Sequence, residues 1–413
     1  MLKRQRWFAA SAIVLVACIV HPAFADPAPP FPLLLREAMT SAPRLAQSAA
    51  DVRVAQGMAE QAAARPNPTL GFEAENLAVH DNTGVAVRQD TLSISQPLEL
   101  GGKRSARVAA GRADIDAAQA RLKQSQAAFA ADLAIAYATA ETATRKADLL
   151  REDLGRAQED VRVADALVKA GREADGRAGQ ARAAASGTEA DLQAAEADQA
   201  EALSRLSSLA GTSVAFTGIG RSLLDVAQAL PNPAPEPPQD TPALIVARAE
   251  REAASRRTDV ERSRAMPDIT VSLAARRYEG VGGTGIVAGA SVPLPLFDRN
   301  RGAVAAANGQ LASADAKLRA AELDAQADWR AAASQARAGQ GRLKAALEAQ
   351  RVSDDSYRLN LIGYDAGRTP LIELLAARRA LTEAQTRVLE ARFARVRAEA
   401  TLARLAGRIP FGD

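Results

Sequence analysis

Two segments of the chain, 68–97 and 268–293, alternate apolar residues with small or polar ones. In the first, Leu92 and Ile94 alternate with serines, and in the second, Leu273 stands between a serine and an alanine. A period of two residues is typical of β-strands that bury one face only. The sequence therefore predicts two β-hairpins, each with one apolar face and one small or polar face.

After each hairpin the apolar period changes from two residues to seven. Apolar heptads run through 103–211 and again through 302–407, and each run is interrupted once, at Gly171 and at Gly367. Sustained heptads predict long supercoiled helices that pack along their whole length. Each glycine supplies the backbone freedom for a reversal, so we expect a long helical hairpin in each segment.

The chain matches itself at an offset of 196 residues, which indicates an internal duplication. Pro97 pairs with Pro293, and the tetrapeptides KAGR and SLAG pair with DAGR and RLAG. Each copy begins with a predicted helix of roughly thirty residues that has a proline near its start, Pro43 or Pro242. The predicted layout is a signal peptide at 1–25, a first repeat at 26–211, a proline-rich linker at 212–240 and a second repeat at 241–413.

Prolines and glycines stand where each hairpin gives way to a long helix. Proline donates no ladder hydrogen bond, so we expect strand pairing to stop there, and glycine permits the turn into the helix. The junction residues are Pro97, Gly101 and Gly102 in the first copy, and Pro293, Pro295, Asp298, Asn300 and Gly302 in the second.

The N-terminus has the pattern of a secretory signal. Basic residues precede an apolar run at 7–20 that is too short for a membrane span, and the sequence AFA at 23–25 fits a cleavage site. The sequence LVAC at 15–18 also fits a lipobox, in which Cys18 would be acylated. We favour cleavage after Ala25, which leaves the mature chain without a thiol.

Charge argues against a nucleic-acid-binding protein, and composition favours long helices. The chain has 52 basic and 49 acidic residues, and the signal contributes three of the basic ones, so the mature chain is formally neutral. A nucleic-acid-binding protein needs a basic face, which argues against that class. Only 4% of residues are aromatic and alanine is frequent, a composition that favours long, closely packed helices.

Four strands with one apolar face match the length and pattern of strands that cross an outer membrane. Four strands cannot close a barrel, and open edges are not tolerated in lipid. Several chains must then share one barrel, and three chains give twelve strands. A soluble sheet, or a periplasmic coiled-coil adaptor or scaffold, is the alternative, but neither explains two strand pairs of membrane length.

The motifs QPLELGGKR (96–104), VPLPLFDRNRG (292–302) and GYDAGRTPLIELLAARRAL (363–381) resemble the TolC-like outer-membrane efflux factors, and especially their heavy-metal branch typified by CzcC. The resemblance covers residues 31–410. It implies a homotrimer, with a twelve-stranded barrel in outer-membrane lipid and a long α-helical barrel through the periplasm. Substrate would arrive from an inner-membrane RND-type pump through a periplasmic adaptor.

The expected function is an exit duct for heavy-metal cations such as cobalt, zinc or cadmium. A drug or solvent efflux channel and a type I secretion duct of the same fold remain open. His80 is the only histidine of the mature chain, and no nucleophile with a base, phosphate loop or zinc spacing is present. We therefore expect a conduit that is not an enzyme and holds no cofactor or metal.

The resemblance also assigns roles at the helix tips. Gly171 and Gly367 mark the turns that meet the adaptor, with Arg172 and Arg368 exposed beside them. Glu373 would form a ring of three carboxylates in the pore, whereas Ala376 stands where the family pattern has a second acid. Tyr364, Arg368 and Arg177 would tie neighbouring helices shut. The alternative for Glu373 is a solvated residue of the first helical turn.

Overall fold

The computed structural model describes residues 26–77, 88–172, 174–226, 238–279 and 282–411. The predicted signal peptide, Cys18, His80 and most of the proline-rich stretch 231–238 lie outside these residues. The described elements are α1 (Phe31–Ser41), α2 (Pro43–Ala63), β1 (Thr69–Glu75), β2 (Gln89–Leu98), α3 (Lys103–Lys169), α4 (Asp175–Ala210), α5 (Pro242–Arg264), β3 (Ile269–Tyr278), β4 (Thr284–Ser291), α6 (Arg301–Asp365) and α7 (Leu371–Ala406). None of the described helices has an apolar stretch long enough to cross a membrane.

The predicted mainly helical fold with four strands is confirmed, and both copies place a hairpin before a pair of long helices. The first helices of the copies differ from the prediction of about thirty residues each. Ala42 is extended (φ −65°, ψ 123°) and separates α1 from α2, because a residue before proline is disfavoured in the helical region. In the second copy, α5 has 23 residues and begins at Pro242.

The long helices form a layer in which α3 is central and α6 lies at an edge. Helix α3 packs against α2, α4, α5 and α7, whereas α6 packs against α5 and α7. Buried alanines follow much of α3, as close helix packing requires, and few side chains of α6 are buried. The two helices have 67 and 65 residues, so each extends for about 100 Å.

The four strands form one antiparallel sheet in the order β1-β2-β3-β4. The register aligns apolar residues across all four strands, in one row of Leu70, Ile94, Leu273 and Ala288 and a second row of Phe72, Leu92, Ala275 and Ile286. The large side chains of both rows are exposed, from 49% at Ile94 to 80% at Ile286. The sheet therefore presents an uncovered apolar face.

The opposite face of the sheet is polar and partly enclosed. Along β3, Ser272, Ala274 and Arg276 are half-buried while the alternate residues are exposed, although no other element covers this face in the described chain. Arg276 Nε donates a hydrogen bond to Thr91 Oγ1 at 3.1 Å. The small side chains of this face lie low beside their neighbours and are less accessible than the large apolar side chains of the opposite face. Strands β1 and β4 each have one paired neighbour and form the two edges.

The segment 212–226, the first part of the predicted linker, packs against α3. The buried Glu141 carboxylate accepts hydrogen bonds from the backbone N–H groups of Leu223 (2.7 Å) and Leu224 (3.1 Å). Tyr137 donates from its hydroxyl to the carbonyl of Arg221 at 2.7 Å. These long-range hydrogen bonds fix segment 212–226 against α3. The sequence predicts a linker here, because the residues that follow are rich in proline, and it does not indicate this packing.

Candidate functional site

Each long helix ends in the same left-handed glycine turn. Gly171 has φ +69°, its N–H donates to Val168 O at 2.9 Å, and the N–H of Arg172 donates to Leu167 O at 2.9 Å. This pair of bonds is the Schellman motif, which satisfies the last carbonyls of a helix and needs a residue with positive φ. The turn therefore caps α3 and starts the reversal into α4.

The turn between α6 and α7 repeats this geometry 196 residues later. Gly367 also has φ +69°, and the N–H of Arg368 donates to Gly363 O at 2.8 Å. Thr369 adds a further constraint, since its Oγ1 lies only 2.2 Å from the position that a Cβ would occupy at Gly363. A side chain at position 363 would therefore force the Thr369 side chain to shift.

The two tips lie side by side. The Arg172 guanidinium lies 3.9 Å from the position that a Cβ would take at Gly367. Both Arg172 and Arg368 are exposed, as expected for residues that could contact another protein. The structure thus brings the four tip residues of the sequence prediction into one basic surface, and their contact with an adaptor stays a prediction.

The gate candidates occupy different environments. Tyr364 is buried in an apolar cluster between the tip helices with Ala164, Ala178, Ala181, Leu371 and Leu374. Arg177 is half-buried at the start of α4. Glu373 is exposed in the first turn of α7, while Leu371 and Leu374 on the same helix are buried. The Glu373 carboxylate is thus available to solvent, and its place in a pore stays a prediction.

A buried ion triad just above the tips joins the two repeats. Arg378 on α7 pairs through Nη1 with Asp160 Oδ2 at 2.8 Å, and its Nε lies 3.6 Å from Asp153 Oδ1. All three residues are less than a tenth exposed. Asp153 Oδ1 has no hydrogen-bond partner among the described residues. The Arg378 guanidinium is therefore the one cation of the triad, and it is shared between two buried carboxyl groups.

The triad perturbs the titration of its neighbours. Burial raises the pKa of Asp160, and the nearby Asp153 and Glu159 carboxylates add to this, although Arg378 opposes it. Burial and the charge of Asp160 also raise the pKa of the Tyr357 hydroxyl on α6. Three helices, α3, α6 and α7, thus share one electrostatic cluster close to the tips.

Sequence reasoning missed this triad, although a signal was present. Buried residues of α3 follow one another at spacings of three and four residues, and Asp153 and Asp160 occupy two positions of this seam between Leu150, Ala157 and Ala164. Arg378 holds the same kind of position in α7, among Leu371, Leu374 and Leu381. Opposite charges at core positions of two heptad helices predict a buried pair.

The opposite end of the long helices contains the strand-to-helix junctions. The prediction that pairing stops at Pro97 is wrong, because the β2–β3 ladder continues to Leu98 opposite Ile269. Strand β1 begins at Thr69 opposite Ser95 and does not reach Pro97, so Pro97 has a paired strand on one side only. In the second copy, β4 ends at Ser291, before Pro293 and Pro295.

Ion pairs and positive-φ residues brace these junctions. Asp268, just before β3, pairs with Lys103 Nζ at 2.7 Å and accepts from the N–H of Leu100 at 3.0 Å. Gly101 and Gly102 have φ of +68° and +71° and turn the chain into α3, as predicted. In the second copy this role falls to Asn300 alone, with φ +56°, whereas Gly302 already lies inside α6.

Below the sheet, a groove of about 1200 Å³ runs along α2, α3, α5 and α6. Its charged residues are largely paired, for example Arg121 Nε with Glu250 Oε1 at 2.8 Å and Arg257 with Asp114 at 2.6 Å. Within the described ranges, no three His, Cys, Asp or Glu side chains converge as a metal site. Paired charges make the groove polar and give it little net attraction for either sign of ion.

Comparison with known proteins identifies relatives over nearly the whole chain. The family described as "Outer membrane efflux protein" matches residues 34–212 and 238–408. The nickel-cobalt-cadmium resistance protein NccC of Alcaligenes xylosoxydans xylosoxydans is 43% identical over 94% of this chain and 88% of its own length. The nickel and cobalt resistance protein CnrC of Cupriavidus metallidurans is 42% identical over 100% of this chain and 98% of its own.

Solved structures share the fold at low sequence identity. The outer membrane protein VceC of Vibrio cholerae superposes with a TM-score of 0.75 over 92% of this chain and 96% of its own, at 20% identity. At that identity the likeness concerns the fold alone.

Proposed function

Because the chain belongs to the outer membrane efflux protein family, we propose that three copies form the outer-membrane exit duct of a tripartite system that exports heavy-metal cations. The match confirms the resemblance to the TolC-like family that the motifs indicate. Two relatives named for nickel, cobalt or cadmium resistance agree with the predicted heavy-metal branch. The description of the family as efflux proteins agrees with the expectation of a conduit that is not an enzyme.

The observation that carries this proposal is the open sheet with an exposed apolar face. Edge strands β1 and β4 leave unpaired backbone groups, which lipid does not tolerate. Three copies, with β4 of one chain beside β1 of the next, would close a barrel of twelve strands. The apolar rows would then face lipid, and the polar face with Arg276 would line the lumen.

The helices and their tips suggest how the duct meets its partners. Helices α3 and α6 would extend the barrel through the periplasm for about 100 Å. The basic surface of Arg172 and Arg368 would meet a periplasmic adaptor, which would link the duct to an inner-membrane RND-type pump. We propose cobalt, nickel or cadmium cations as substrates on the names of the two relatives, and zinc on the resemblance of the motifs to the heavy-metal branch.

A complementation experiment tests the substrate class. In a strain that lacks this gene but retains its pump and adaptor, the intact chain should restore growth on cobalt, nickel or cadmium salts. Growth on detergents and organic drugs should not change. Restored tolerance to drugs without any to metals would assign the duct to drug efflux, and restored release of a secreted protein would assign it to type I secretion.

A pair of neighbouring strand variants tests the barrel. Leu273→Arg places a cation on the apolar face, where it should cost about 2–4 kcal/mol near the membrane midplane. Ala274→Arg places the same cation on the opposite, polar face, two residues before Arg276. We expect Leu273→Arg to reduce the trimer recovered from outer membranes and Ala274→Arg to leave it near normal. Equal, normal yields of both variants would contradict the barrel.

A further inference from the structure

The apolar pattern of β4 continues beyond the end of the strand. Ile286, Ala288 and Ala290 belong to the exposed apolar face, and the alternation goes on through Val292, Leu294 and Leu296 although the strand ends at Ser291. In the first copy, Leu98 and Leu100 occupy the equivalent positions, 196 residues earlier. Both junctions therefore contain the pattern Pro-Leu-x-Leu, which begins inside the end of β2 in the first copy and just after β4 in the second.

The second junction is far more exposed than the first. Leu294 and Leu296 are 74% and 66% exposed and Phe297 is 99% exposed, whereas Leu98 and Leu100 are 45% and 37% exposed. Gly101 stands where the second copy has Phe297, so only the junction beside edge strand β4 carries an aromatic ring. A contiguous apolar patch of this kind usually marks a contact surface.

The backbone of the patch formed by Leu294, Leu296 and Phe297 is restricted by prolines and hydrogen bonds. Pro293 and Pro295 restrict the segment, and the N–H of Leu296 donates to Leu294 O at 2.8 Å. Asn300 then anchors the segment, since its side-chain amide donates to the carbonyl of Glu261 on α5 at 2.8 Å. Exposure of the patch is therefore built into the junction and does not require a loosely held loop.

Two arginines follow the patch at the start of α6. Arg299 and Arg301 are both exposed, and Arg299 Nε donates to Pro295 O at 3.2 Å, which keeps it close to the patch. An aromatic and aliphatic cluster followed by long cationic side chains is the arrangement that proteins place at a bilayer boundary. Apolar groups enter the acyl region there, and the guanidinium groups reach the lipid phosphates.

We propose that Leu294, Leu296 and Phe297 insert into the periplasmic leaflet of the outer membrane, with Arg299 and Arg301 at its phosphate groups. This contact fixes how deeply the barrel sits in the bilayer. This inference rests on the proposed function, because it requires the strands to lie in a membrane. A neighbouring copy of the chain is the other occupant that an edge position allows, and the experiment below distinguishes the two.

The test uses fluorescence of the full-length trimer in vesicles of phosphatidylethanolamine and phosphatidylglycerol. Phe297→Trp reports on the patch, Phe72→Trp reports on the strand face, and Leu323→Trp on the exposed face of α6 is the control far from the membrane. The native Trp329 is buried, so its signal is subtracted with the unmodified protein. Lipids brominated near the headgroup or at mid-chain serve as depth-dependent quenchers.

We expect Phe297→Trp emission to be blue-shifted and quenched best by lipid brominated near the headgroup, Phe72→Trp to be quenched best at mid-chain, and Leu323→Trp to be quenched by neither. If the Phe297→Trp emission is blue-shifted but no lipid quenches it, a neighbouring chain covers the patch. If the emission is red-shifted, the patch is in contact with water. Either result overturns the inference if Phe72→Trp is quenched. If Phe72→Trp is not quenched either, the membrane assignment itself fails.

Discussion

Removal of Arg378 should destabilise the protein strongly, because it leaves two buried carboxylates without a cation. Asp153 and Asp160 are only 6% and 7% exposed and belong to the same seam of α3. Breaking a buried ion pair by deleting one partner costs about 3–5 kcal/mol, since the remaining charge stays desolvated. We therefore expect Arg378→Met to lose about this much stability, whereas Arg379→Met, an exposed neighbour, should change it by about 0.5 kcal/mol or less.

A triple variant separates lost charge pairing from lost packing. Arg378→Met combined with Asp153→Leu and Asp160→Leu removes all three charges, and such replacements are commonly neutral or stabilising. We expect the triple variant to recover most of the stability that Arg378→Met loses. The assay is denaturant-induced unfolding of the purified trimer, followed by circular dichroism at one fixed protein concentration, because the stability of an oligomer depends on concentration.

The pH dependence gives this prediction a second, independent readout. The pKa of Asp160 is raised above its ordinary value of 3.8 in the folded protein. A raised pKa means that the folded state binds the proton more readily than the unfolded state does. Protonation of Asp160 therefore stabilises the fold below pH 3.8, and this contribution is lost as the pH rises through the pKa of the folded state. Without Arg378 the pKa of Asp160 rises further. The stability deficit of Arg378→Met relative to the unmodified protein should therefore become smaller as the pH falls from 7 to 4. A deficit no larger than that of Arg379→Met, or one independent of pH, would refute this reasoning.

Three further predictions concern the tips and the packed segment. Glu373→Gln should reduce the cation preference of single trimers in planar bilayers, and an unchanged reversal potential in a salt gradient would show that this carboxylate lies outside the constriction. Cysteines introduced as Arg172→Cys or Arg368→Cys should crosslink to a periplasmic adaptor in cells, and crosslinking from the hairpin loops alone would reverse the orientation. Glu141→Leu leaves two buried N–H groups without an acceptor, so it should destabilise the protein by about 2 kcal/mol or more, and protection of segment 212–226 from proteolysis should fall with it.

The sequence was a good guide wherever the structure follows from local rules. Period-two alternation located the strands, and heptads located the long helices, because each pattern reflects which residues of one element must be buried together. The turns at Gly171 and Gly367 were predictable for a similar reason, since a left-handed residue at a helix end favours glycine.

The features that sequence reasoning missed depend on partners far along the chain. Segment 212–226 looked like part of a linker, yet Glu141 binds its backbone from more than 80 positions away. The position of Pro97 inside the β2–β3 ladder depends on where β1 begins, which no local pattern reveals. The triad required the seams of two helices more than 200 residues apart to be brought into register.

The two unpaired edges of the sheet have a genetic consequence. In the proposed trimer, a chain whose edge strand cannot pair would prevent the barrel from closing, so one defective copy would disable a duct that contains two intact copies. In the proposed trimer, a cell that makes equal amounts of intact and edge-defective chains assembles only about one eighth of its ducts from intact chains alone. Mutations at β1 or β4 that still allow a chain to join a trimer should therefore be dominant over the intact gene, whereas mutations that prevent folding of the protomer should be recessive.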